Sequence, residues 1–105
     1  MDTLLKGSFG VYSGGRDLIA MRIRFDPWAG QLVKERRWHP SQEIRELRNG
    51  EVELTLELSS FVEIVPWILG WGNHARALAP KALVEEVRKV VAEVGRMYRN
   101  KKLNR

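Results

Sequence analysis

Chemistry in this sequence concentrates in one short run, Glu35-Arg36-Arg37-Trp38-His39-Pro40-Ser41-Gln42. Two guanidiniums can grip phosphates bidentately, the Trp38 indole offers a stacking face, and His39 and Gln42 can hydrogen-bond a base or a phosphate. Arg36, Arg37, His39 and Gln42 are therefore the candidate contacts for a nucleic-acid or other effector. A structural reading competes with this one. In it Trp38 fills the core beside a helix terminus, Arg36 and Arg37 favour the negative end of that helix, and His39 satisfies a backbone group. The core reading is preferred for Trp38, and both readings stand for the two arginines.

Elsewhere the residues that catalysis needs are missing or badly placed. The chain has no cysteine, which excludes disulfides, thiolate metal sites and a thiol nucleophile. His39 and His74 stand in no closely spaced set of ligands, so no metal site is expected. Glu85 and Glu86 are helix neighbours that project in different directions, and Glu85 suits an i,i+4 pair with Lys89. No serine sits in a nucleophile elbow. Four glycines between Gly7 and Gly15 lack the Gly-Lys-Ser/Thr that a phosphate loop requires, so this stretch reads as a connector. The expectation is a domain with no enzymatic activity, cofactor or metal.

The elements that must position the candidate residues follow from periodicity. Ile19, Met21, Ile23 and Phe25 alternate with Ala20, Arg22 and Arg24, the pattern of a half-buried strand. Asp26-Pro27 supplies a capping oxygen and a first-turn residue, which predicts a helix with Trp28, Ala29, Leu32 and Val33 on its apolar face. Gly30 weakens that helix by about 1 kcal/mol relative to alanine unless something packs close to it. Pro40 ends it by Trp38.

A hairpin comes next, with Val52, Leu54, Leu56 and Leu58 greasy and Glu51, Glu53, Thr55 and Glu57 wet. A two-residue Asn49-Gly50 turn would pair Arg45 with Leu54 and Glu46 with Glu53. A type I turn with Gly50 as a left-handed bulge residue instead pairs Ile44 with Leu54 and Arg45 with Glu53, and is the expected register. Ser60 to Glu63 has capping-box spacing and predicts a second helix, kinked at Pro66 or starting afresh near Val65. A short strand over Ala75 to Leu78 follows. A long helix then runs from Pro80 to about Tyr98, where Leu83, Val87, Val90, Val94 and Met97 form one apolar row. Val84, Val91 and Tyr98 form a second row that one sheet would struggle to bury, which makes them candidate interface residues. The order is that of an α+β, ferredoxin-like βαββαβ sandwich with an additional C-terminal helix.

Composition agrees with a single soluble domain. The 105 residues are 44% hydrophobic and 30% charged, and no apolar run approaches the ~18 residues of a membrane span. The start lacks secretory-signal features, so a cytoplasmic setting is expected. Residues 1–15 read as the connector, 16–99 as the domain and 100–105 as a basic tail. Of the 18 basic residues, Arg96, Arg99, Lys101, Lys102 and Arg105 lie at the end with no acid among them. The remainder balances the 13 acids, so high net charge is a property of the tail and weak evidence for a nucleic-acid face.

The run Arg36 to Gln42, preceded by Arg24-Phe25-Asp26-Pro27 and followed by Trp67-Ile68-Leu69-Gly70-Trp71-Gly72 and Leu78-Ala79-Pro80, resembles the C-terminal extension (WCX) domain of bacterial WYL-type transcriptional regulators. The resemblance covers about Gly7 to Tyr98. It implies a non-catalytic regulatory and dimerisation module, forming a homodimer or docking on a WYL domain of the same protein. It also implies a possible nucleic-acid effector, and promoter DNA bound by a helix-turn-helix domain absent from this sequence. Leu4 to Val11 resembles the end of a WYL domain. The competing function is a small-molecule-sensing ferredoxin-like domain. An RNA-binding sheet of the same order is disfavoured, because Arg22, Arg24, Arg45, Glu53, Thr55 and Glu57 occupy the exposed strand faces where stacking aromatics would be needed.

Overall fold

The computed structural model describes residues 17–99, so the connector at 1–15 and the tail at 100–105 lie outside the described residues. In chain order the elements are β1 (Ile19–Phe25), α1 (Pro27–Lys34), β2 (Glu43–Glu46), β3 (Val52–Leu58), α2 (Ile64–Gly70), a 3₁₀ turn (Gly72–His74), β4 (Ala75–Ala79) and α3 (Lys81–Arg99). The four strands form one antiparallel sheet in the order β2-β3-β1-β4. The fold is a ferredoxin-like α+β sandwich with a helix appended.

Alternation sets the two faces of the sheet. Met21, Ile23, Phe25, Leu54 and Leu56 are fully buried and meet Ala29, Val33, Ile64, Ile68 and Leu83 from the helices. Hairpin register follows the bulged alternative, with Ile44 opposite Leu54 and Arg45 opposite Glu53. Gly50 stands at φ +91°, which an L side chain rarely adopts. Gly30 also has a packing reason. A Cβ built there would lie 2.6 Å from Val52 Cγ2, so the bare backbone is what lets α1 approach β3.

Several expectations are corrected. Trp28 and Leu32 are largely exposed, 57% for Trp28, so the buried face of α1 is Ala29, Gly30 and Val33. The capping box does not form. Ser60 Oγ accepts only from the Val62 amide at 3.4 Å, and α2 starts at Ile64 with Glu63 as N-cap and no side-chain cap bond. Pro66 therefore falls in the first turn, where an amide has no intrahelical partner to lose. Glu53, assigned to the wet face, is only 6% exposed because it lies between Arg24 and Arg45. On α3, Leu83 is buried and Val84, Val87 and Val90 pack partly against the core, whereas Val94 is exposed.

Candidate functional site

The corner between α1 and β2 is built from the inside outward. Trp38 is 4% exposed, and its indole N–H donates to the Val33 carbonyl at 3.0 Å. Its ring lies 5.1 Å from that of Trp67, and Trp67 and Trp71 in turn meet Phe25 edge-on at 5.8 and 5.5 Å. Four aromatic rings thus lock the end of α1 to α2 and β1.

Gln42 closes the corner by two bonds. Its side-chain oxygen accepts from the Trp38 amide, and its NH₂ donates to the Arg36 carbonyl at 3.0 Å. His39 is buried and accepts at Nδ1 from the Ser41 amide at 3.1 Å, with Ser41 Oγ 2.8 Å away. Ser41 Oγ also accepts from the Glu57 amide at 2.9 Å, which ties the corner to β3. Burial lowers the His39 pKa from its ordinary value of 6.5, favouring the neutral ring. Arg36 lies over the Trp38 ring, its guanidinium carbon 4.7 Å from the centroid, and exposed Arg37 reaches toward the Pro40 carbonyl at 3.5 Å. All four candidates therefore share one corner. His39 and Gln42 spend polar groups on holding it, while Arg36 and Arg37 present charge at its surface.

The three candidate interface residues divide. Val84 packs partly against the core, whereas Val91 is 52% and Tyr98 78% exposed. Val94 and Met97 are also exposed, so the last two turns of α3 carry a contiguous apolar surface.

One arrangement went unseen in the sequence. Asp26 caps α1 by accepting from the Ala29 amide at 2.9 Å, and its second oxygen accepts from His74 Nδ1 at 2.6 Å. The Trp28 ring lies 4.5 Å from that of His74. The Ala29 amide and then His74 hold the Asp26 carboxyl below its ordinary pKa. The signal was the pairing of β1 with β4. Phe25 opposes Ala75, so the next residue outward on each strand must be Asp26 and His74. Among the described residues no group of acidic, histidine or cysteine side chains is placed to hold a metal ion, and no helix is long and apolar enough to cross a membrane.

The profile of the WCX domain matches residues 17–95, the span of the sandwich and most of α3. The chain belongs to the WCX domain family. The chain is also similar to two proteins called Protein PafC, from Mycobacterium tuberculosis strains CDC 1551/Oshkosh and ATCC 25618/H37Rv. Each is 28% identical over 78 residues, covering 74% of this chain and 24% of the relative. The chain thus spans about a quarter of the length of these relatives.

Proposed function

We propose that this WCX domain is a non-catalytic regulatory module of a cytoplasmic WYL-type transcriptional regulator. In this reading α3 joins it to a second copy or to a WYL domain of the same protein. The observation that carries the proposal is the apolar end of α3. Val91, Val94, Met97 and Tyr98 are exposed together on a domain whose family match includes most of that helix, and soluble domains rarely leave such a surface without a partner. Arg36 and Arg37 add phosphate contacts to a nucleic-acid effector, with His39 and Gln42 holding the corner that presents them. Promoter DNA is bound by a helix-turn-helix domain outside this chain.

Sedimentation velocity tests the assembly role. The wild-type chain is expected to self-associate, and Val91→Glu/Tyr98→Glu to sediment as a monomer with the wild-type far-ultraviolet circular dichroism, because neither residue is in the core. A monomeric wild type at about 100 µM, a concentration at which a ~10 µM dimer is mostly formed, removes self-association and leaves docking on the WYL domain. Effector binding is tested in the full-length regulator. Arg36→Glu/Arg37→Glu is expected to weaken binding of a single-stranded oligonucleotide and to flatten its dependence on salt. An unchanged salt slope would assign both arginines to structure alone.

A further inference from the structure

On the sheet face opposite the helices, the side chains form a cross-strand row running Arg45, Glu53, Arg24, Arg76 from β2 to β4. The first two steps join opposite charges. Glu53 accepts from Arg24 at 2.7 Å and from Arg45 at 3.3 Å, and Arg24 also faces Glu51 at 3.8 Å. The last step does not alternate, because Arg24 stands directly across from Arg76. Like charges opposed in this way destabilise a sheet. Arg22 lies two residues along β1 on the same face, next to a register shift in the β1–β4 ladder. Such bulges re-aim side chains and are over-represented beside functional sites. Arg22 and Arg76 are both exposed, and neither makes a hydrogen bond or salt bridge among the described residues.

We infer that Arg22, Arg24 and Arg76 form a binding site for a compact oxyanion, the phosphate or carboxylate group of a small molecule. An anion beside Arg76 supplies the missing negative member of the row and relieves the repulsion between Arg24 and Arg76. Arg24 is held in place by Glu53 and Glu51, which gives the site a fixed floor and two adjustable arms. The β2–β3 half of the same face carries Glu43, Glu51 and Glu57. That acidic border repels an extended polyanion crossing the sheet, and among the described residues its strands carry no aromatic side chain on this face on which bases could stack. Compact ligands are selected over a nucleic-acid strand for both reasons. The site is separate from the Arg36–Arg37 corner and from the end of α3, so it stands or falls independently of the proposed function.

The test follows the arginine Nε–Hε resonances of the ¹⁵N-labelled 105-residue chain by NMR while inorganic phosphate replaces chloride at constant ionic strength. Parallel titrations use acetate, as the carboxylate, and a single-stranded oligothymidylate. Saturable shifts at Arg22 and Arg76 with phosphate or acetate are expected, and whichever anion saturates first names the group. Arg22→Gln and Arg76→Gln should each weaken binding by about tenfold or more, the loss typical of one charge-assisted contact. Arg48→Gln, in the β2–β3 turn, should leave binding unchanged. Melting supplies a second readout. The phosphate-induced rise in melting temperature should be smaller in Arg76→Gln than in wild type, a difference from which general salt effects cancel. Shifts that never saturate, that persist in the arginine variants, or that occur only with the oligothymidylate overturn the assignment.

Discussion

Replacing Trp38 with alanine tests whether the motif that carries the most chemical suggestion is first a structural lock. At 4% exposure the indole is buried against Trp67 and Trp71, and its N–H is the donor to the Val33 carbonyl near the end of α1. Removing a buried aromatic to alanine costs about 3–5 kcal/mol. Val33 also loses a donor, which places the cost toward the upper end of that range. A domain of this size has about 5–15 kcal/mol in total, so the variant should lose a third or more of its stability. The melting temperature should fall by more than about 12 °C, at about 4–8 °C per kcal/mol. Urea unfolding followed by far-ultraviolet circular dichroism gives the free energy, with an unchanged m-value showing that the native state keeps its compactness. Trp38→Phe keeps an aromatic ring and deletes the donor, and should cost about 1–3 kcal/mol. A loss below about 1 kcal/mol in Trp38→Ala would refute the lock and return Trp38 to the surface as a stacking residue.

Gly30→Ala should destabilise by about 1–3 kcal/mol through overpacking against Val52, although helix propensity alone predicts a gain of about 1 kcal/mol; chemical denaturation decides the sign. Acid should remove stability in two stages. The His39 pKa is lowered by folding, so the unfolded chain takes up the proton first and stability declines as pH falls below the ordinary value of 6.5. Asp26 and Glu53 are lowered as well, chiefly by the Ala29 amide and by Arg24 respectively, so their contribution is complete above the ordinary carboxylate range and drains as pH falls through their folded values. Unfolding free energies from pH 8 to about 3 should therefore lose the upper stage in His39→Gln and retain the lower one.

Much of the sandwich was legible because strands announce both faces in their alternation. The hairpin register could be chosen before any coordinates, since only the bulged turn joins Ile44 to Leu54 and Arg45 to Glu53. What escaped depended on neighbours distant in sequence. Glu53 looked like one of several exposed glutamates, and only the juxtaposition of β1, β2 and β3 encloses it between two guanidiniums. Asp26 and His74 are 48 residues apart and meet through the β1–β4 pairing. Ser60 and Glu63 had the spacing of a cap, but a local signal cannot show where α2 must begin so that Ile64, Val65 and Ile68 reach the core. In the Arg36–Gln42 run the residue types promised chemistry, and the fold reveals a division of labour: Trp38, His39 and Gln42 build the corner that Arg36 and Arg37 occupy.

The exposed end of α3 has a geometric origin that the apolar pattern alone could not supply. β4 has five residues and α3 nineteen, which at about 3.4 and 1.5 Å per residue gives about 17 and 28 Å. The helix outruns its strand by about two turns, and those are the turns in which Val91, Val94, Met97 and Tyr98 are exposed. At 100° per residue, Val94 and Tyr98 lie within about 20° of Val87, a residue that packs against the core. One stripe therefore serves two surfaces: its first half docks on the sandwich and its second half carries the same face past the edge. Because the helix is continuous, a partner seated on the overhang would bear on the same rigid rod whose orientation Leu83 fixes in the core. A shift of α3 against the sandwich would change the angle at which the apolar end is offered, so interior packing would set the geometry of the assembly proposed above.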